Sequence, residues 1–166
     1  FPALLEALRP GGASVTSGYL DDPAANAAAF RNGWLRTGDL GHFDADGYLF
    51  LTGRSAETII SGGVNIYPQE IDNVLIQHEA VADSSTVGVP HPEWGAEGRA
   101  VIVLKPGYAA GSAMSDEILA LARKKLPGFK VPRQVDFVDS LPRSEAGKIQ
   151  RGKVRAKYWQ GQSRQI

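Results

Sequence analysis

The sequence predicts an α+β fold, a small mixed sheet flanked by helices with a β-hairpin ahead of it. Three observations carry that reading. Phe43 and Tyr48-Leu49-Phe50-Leu51 flank Asp44-Ala45-Asp46-Gly47, a turn whose glycine can take positive φ, so this stretch is a hairpin. Ile71, Val74, Leu75 and His78 recur at helical spacing behind Pro68 and predict one buried stripe. Residues 81–89, 99–104 and 135–138 read as strands, interleaved irregularly with the helices.

The elements follow in order. Residues 1–18 bear Gly, Ser and Pro and read as an irregular lead-in. The Ala-rich stretch Pro23 to Asn32 predicts a short helix. Pro68 opens the next, with Glu70 in the first turn where the helix dipole favours an acid. Ser115 is the expected cap of a further helix, with Asp116 and Glu117 in its first turn and Lys124-Lys125 in its last. Pro127-Gly128 stops it. Leu141 to Gly147 is a turn-rich loop, and Val154 with Tyr158 predicts a terminal helix.

A chain of 166 residues suffices for one domain, or a small domain plus an appendage. A domain of this size buries about 70% of its unfolded surface and needs no staples. With no cysteine, disulfides, thiolate metal sites and a cysteine nucleophile are excluded. Formal charge is zero, yet residues 143–166 hold seven basic side chains against one acidic. That asymmetry fits either a solvated basic tail or an anionic partner near the C-terminus. No apolar run approaches the roughly 20 residues that span a bilayer. Phe1-Pro2-Ala3-Leu4-Leu5 is too short for a signal-peptide core, and there is no initiator Met. The expectation is a soluble, cytoplasmic piece of a longer chain.

Several chemistries can be set aside. There is no Gly-x-Ser-x-Gly elbow, and Gly147-Lys148 lacks the upstream glycine of a Walker A loop. His42, His78 and His91 have no metal-ligand spacing, so no metal site is expected; His78 reads as a packed core residue. Asp44/Asp46 and Asp116/Glu117 are explained by a turn and a helix start.

Three segments resist so plain an account. In Gly33-Trp34-Leu35-Arg36-Thr37-Gly38-Asp39-Leu40-Gly41, Asp39 could accept hydrogen bonds from a ribose diol, although a loop Asp is more often a turn former. In Gly53-Arg54-x-x-Glu57, followed by Gly62-Gly63-x-Asn65-Ile66-x-Pro68, Arg54 offers forked donors for hydroxyl or phosphate oxygens. Gly62-Gly63 either lets a ligand chain pass close to the backbone or simply turns between strands. In Leu141-Pro142-Arg143-Ser144-Glu145-Ala146-Gly147-Lys148-Ile149-Gln150-Arg151, a loop presents a lysine whose compact charge can reach a carboxylate and a phosphate together.

In this order and spacing, the segments resemble the adenylate-forming (AMP-forming) superfamily of acyl- and aryl-CoA synthetases. The likeness runs from about Ser14 to about Tyr158 and includes Gly18-Tyr19-Leu20-Asp21-Asp22-Pro23 and Trp94-Gly95 through Leu104-Lys105-Pro106-Gly107. Residues 1–13 do not match the usual lead-in. The resemblance implies an enzyme that activates a carboxylate with Mg-ATP as acyl-AMP and passes the acyl group to CoA. ATP, CoA and Mg2+ then serve as substrates and ion of the full-length enzyme, with none held tightly here.

By the same resemblance, Lys148 is the catalytic lysine of the first half-reaction, and Asp39 and Arg54 bind the nucleotide. Gly62 and Gly63 line the CoA channel, and Ala56 stands at the hinge, where the family commonly has Asp or Lys. Residues 1–53 would end a large N-terminal domain, with the hairpin at about 41–52. Residues 54–57 would be the hinge, 58–160 the mobile C-terminal domain and 161–166 a tail. The partners implied are the chain's own N-terminal domain, a carboxylic acid and a protein acetyltransferase acting on Lys148. An alternative is the equivalent part of a peptide-synthetase adenylation domain, which loads a carrier protein. A basic interaction module is the third reading. Nucleic acid is not expected as a partner, because Arg151, Lys153, Arg155 and Lys157 alternate at i, i+2 and scatter charge around a helix.

Overall fold

The computed structural model describes residues 15–161 together with the backbone of Ala3–Leu4. Most of the predicted lead-in and all but Gly161 of the predicted tail therefore lie outside the described residues. The chain divides into two compact units, Phe1–Ala56 and Glu57–Ile166.

The first unit holds β1 (Ala3–Leu4), α1 (Pro23–Ala29), β2 (Phe30–Arg31), β3 (Trp34–Leu35), β4 (Asp39–Phe43) and β5 (Leu49–Arg54). Helix α1 begins where Asp22 Oδ1 accepts the Ala25 N–H at 2.8 Å, with Pro23 pre-set for the first turn. Strands β2 and β3 pair through Asn32-Gly33, both at positive φ, a two-residue hairpin turn. The predicted hairpin is longer than its sequence signal, running over β4 and β5 from Asp39 to Arg54. Asp44 Oδ1 accepts from the Asp46 and Tyr48 amides, and Gly47 sits at φ +84°. Ala3–Leu4 also adds an antiparallel strand to β4, where an irregular lead-in was expected.

The second unit holds β6 (Ile59–Ser61), β7 (Val64–Ile66), α2 (Pro68–Leu75), β8 (Val81–His91) and β9 (Gly95–Leu104). After these come α3 (Ser112–Lys125), β10 (Gln134–Phe137) and α4 (Arg151–Trp159). The sheet is mixed. Strand β9 pairs antiparallel with β8 along its length, parallel with β10, and antiparallel with β6 at Gly95. Helices α2 and α3 cover one face, where Ile71, Leu75, Ile118 and Ala122 meet Ala100 and Ile102. Val154 of α4 and Leu141 pack against Val87, Val89 and Val101 in a second cluster. With both faces of the sheet covered, β8 is buried continuously from Ser84 to Val89 instead of alternating.

Two local expectations are corrected. The buried residues of α2 are Pro68, Ile71, Asp72 and Leu75, and the helix ends before His78. His78 is half-buried in the following turn, where its Nδ1 accepts the Ala80 N–H at 3.2 Å. Helix α3 starts at Ser112, not at Ser115, because Met114 packs on the core and draws in another turn. Asp116 and Glu117 thus fall beyond its first turn.

Candidate functional site

Asp39 and Arg54 are brought together by the register of the β4–β5 hairpin, in which they are direct cross-strand partners. Arg54 Nε donates to Asp39 Oδ1 at 2.9 Å. The backbone ahead of the pair is held by Gly38, at φ +75°. Its carbonyl accepts both the Ser55 amide and the Ser55 hydroxyl. Among the described hydrogen bonds, Arg54's is the one that reaches the Asp39 carboxylate.

Gly62 and Gly63 form the two-residue turn between β6 and β7, at φ +55° and +81°. The structural alternative raised by the sequence is therefore correct as geometry, and a type I′ turn explains why both positions are glycine. The turn is nevertheless open. A Cβ on Gly63 would meet nothing within 4 Å, and one on Gly62 would approach only the Trp94 ring, at 3.9 Å. Trp94 stacks on His91, and the Arg133 guanidinium lies 5.0 Å from its ring centroid.

Lys148 stands on a small hairpin-like loop. Pro142 and Gln150 close its base, Arg143 bridges Ile149, and the Ser144 amide donates to the Lys148 carbonyl at 2.8 Å. Gly147, at φ +76°, makes the turn. Arg143 ties the loop to strand β8 through Asp83 and donates to the Gly147 carbonyl. The side chain of Lys148 is exposed, and among the described residues its ammonium has no hydrogen-bond or ion-pair partner. Asp39 and Arg54 belong to the first unit; Lys148 and the glycine turn belong to the second.

Residues 70–148 match the model of the AMP-binding enzyme C-terminal domain. The second unit carries this domain. Over 147 residues the chain is 42% identical to a feruloyl-CoA synthase of Amycolatopsis sp, covering 89% of the chain and 29% of that protein. It is 41% identical to a 2-succinylbenzoate–CoA ligase of Listeria innocua, covering 89% and 30%. The structure of Bacillus subtilis o-succinylbenzoate CoA synthetase with its acyl-adenylate intermediate superimposes with a TM-score of 0.77. It is 38% identical and covers 84% of this chain and 28% of that one. The chain thus spans less than a third of the length of these relatives, and its mixed α+β fold is that of the AMP-binding C-terminal domain.

One residue of this C-terminal domain was underread in the sequence. Arg151 counted there among the solvated basic side chains of the tail, but its side chain is only 10% exposed and sits against Asp72, at 7%. Arg151 Nη1 reaches Asp72 Oδ2 at 2.6 Å, and Nε reaches Glu57 Oε2 at 2.9 Å. The other Asp72 oxygen accepts from Ser84 Oγ, Thr86 N and Thr86 Oγ1, all within 2.8 Å. These partners hold the Arg151 guanidinium charged, its pKa raised despite opposing desolvation. The missed signal was Asp72 itself, which keeps helical spacing with Pro68, Ile71 and Leu75 on the buried face.

Arg155 lies over Trp159, whose indole N–H donates to the Gly88 carbonyl. The groove lined by Val103, Lys105, Tyr108, Phe137 and Asp139, about 420 Å³, contains none of the candidate residues. Among the described residues no group of three or more His, Asp or Glu could hold a metal, and no helix is long and apolar enough to cross a membrane.

Proposed function

We propose that this chain is the C-terminal part of an ATP-dependent acyl- or aryl-CoA ligase, with Lys148 acting in carboxylate activation. The observation that carries the assignment is the Lys148 ammonium, exposed on an anchored loop and unpartnered among the described residues. A lysine held ready in this way can meet negative charge arriving from outside its own unit.

In the first half-reaction a carboxylate oxygen attacks the α-phosphorus of Mg-ATP. A P–O bond to the acyl group forms as the bond to pyrophosphate breaks, giving acyl-AMP. Negative charge builds on the phosphoryl oxygens in the transition state, and a fixed ammonium there stabilises that state more than the ground state. Asp39 would hold the ribose hydroxyls and Arg54 would orient Asp39 through their 2.9 Å hydrogen bond. In the second half-reaction the CoA thiol sulfur attacks the acyl carbonyl. The C–S bond forms, AMP leaves, and the thiol proton passes to solvent. The open glycine turn at Gly62-Gly63 would border the pantetheine arm, and the junction at Ala56 would let the second unit present two surfaces in turn.

Acceptor identity follows the relatives, which are named CoA ligases or synthases. Acetylation of Lys148 by a protein acetyltransferase would remove its charge and silence activation. The deciding experiment is Lys148→Ala in the full-length protein. Carboxylate-dependent ATP–pyrophosphate exchange should fall at least about 100-fold, while CoA transfer from supplied acyl-adenylate stays within twofold. Equal loss of both half-reactions would remove Lys148 from the assigned role.

A further inference from the structure

We propose that Arg151 is a positioning residue for Lys148, clamping the root of the lysine loop to helix α2, strand β8 and Glu57. The proposal rests on the reading that Lys148 serves the adenylation step. Arg151 lies three residues beyond Lys148, as the first residue of α4. That is the wrong end of a helix for a cation, because the dipole there is positive. Helix stability therefore does not explain an arginine at this position.

Its contacts do. Besides Asp72 and Glu57, the guanidinium donates to the Thr86 carbonyl at 2.9 Å, to Ser85 Oγ at 3.3 Å and to Gln69 Oε1 at 3.4 Å. One planar fork thereby fastens the C-terminal end of the loop to helix α2, to strand β8 and to the first residue after the junction between the units. Arg143 and Asp83 hold the other side of the loop. A lysine at position 151 could keep the charge but could not reach this many acceptors in different directions. Released at one root, the Lys148 ammonium would sample a wider volume, and misplacing a catalytic group by about 1 Å can cost a rate factor of about 100. Glu57 extends the clamp to the junction, so the position of the loop is fixed relative to the residue about which the second unit begins.

The test compares Arg151→Lys, Lys148→Ala and the double variant in the full-length protein, with both half-reactions measured separately. Arg151→Lys should lower the kcat of pyrophosphate exchange about 10- to 100-fold, with KM for ATP and carboxylate and the rate of CoA transfer within about twofold. Added to Lys148→Ala, it should cause no further loss of exchange, because it acts through the lysine. Glu57→Gln keeps the Asp72 pairing and serves if Arg151→Lys folds poorly. It should show the same selectivity with a smaller loss, about 3- to 10-fold. Parallel loss in both half-reactions, or an additive loss in the double variant, would overturn the clamp. Unchanged exchange in Arg151→Lys would do so too, while leaving Lys148 in place. Unchanged exchange in Lys148→Ala would instead remove the adenylation reading on which the clamp rests.

Discussion

The Arg151 guanidinium and the Asp72 carboxylate meet at 2.6 Å with both side chains withdrawn from solvent. Taking two such charges out of water costs several kcal/mol apiece, and the pair is tolerated because the Asp72 carboxylate accepts three further hydrogen bonds and the guanidinium also donates to Glu57, Thr86, Ser85 and Gln69. Its two halves come from α2 and α4, 79 residues apart in sequence.

Breaking that pair from one side should therefore be severe. Asp72→Asn places an amide among the Ser84, Thr86 and Arg151 donors, leaving the guanidinium without its closest countercharge. Urea unfolding should show a loss of about 3–5 kcal/mol. Combining it with Arg151→Met removes the stranded charge and should recover part of the loss, a non-additivity that distinguishes a buried pair from two independent surface residues.

Asp39→Asn offers the contrasting case. The pair with Arg54 is partly exposed, 26% and 62% for the two side chains, so its contribution to stability should stay below about 1 kcal/mol. If the carboxylate receives ribose hydroxyls, KM for ATP in the full-length protein should rise about 10-fold or more. A large loss of stability with unchanged KM would mean that the pair only fastens the hairpin.

Tyr158 gives a pH dependence of known sign. Burial and the hydrogen bond from its hydroxyl to Asp136 at 2.5 Å push its pKa upward, partly offset by Arg99. The folded state therefore holds the phenolic proton more tightly than the unfolded chain. Its contribution is fully present below the unfolded value of about 10 and is lost as pH rises above it. Stability measured in denaturant from pH 8 to 11 should decline at the alkaline end. Tyr158→Phe should flatten that decline and, at neutral pH, cost about 1 kcal/mol for the lost hydrogen bond.

Local patterns were legible in the sequence because each is fixed by neighbours in the chain. Asp44 to Gly47 had to turn, Pro68 had to open a helix, and the β-branched runs had to be strands. The spacing of Asp39, Arg54, Gly62-Gly63 and Lys148 carried the likeness to adenylate-forming enzymes for the same reason. What stayed hidden depends on packing between distant segments. Ser115 looks like a cap until Met114 finds the core, and Arg151 looks like one more surface cation until Asp72 and Glu57 converge on it. Asp72 occupies a helical position next to Ile71 that apolar periodicity alone skips. A carboxylate on a buried face was the one local hint that a cation from elsewhere had to meet it.

The glycine turn separates a purely structural role from a channel-lining one. At Gly63, φ is +81° and a Cβ would meet open space, so backbone conformation and side-chain volume can be varied apart. Asn tolerates positive φ far better than other residues with a side chain. Gly63→Asn should consequently keep the turn and leave thermal stability within about 1 kcal/mol. Its side chain would nonetheless project into the space proposed for the pantetheine arm. In the full-length protein, KM for CoA should rise about 10-fold, equivalent to about 1.4 kcal/mol of binding, with pyrophosphate exchange unchanged. Gly63→Val adds steric strain at positive φ as well, and should lower stability in addition to CoA use. If Gly63→Asn leaves CoA kinetics untouched, the two glycines are there for the turn alone, and the channel lies elsewhere.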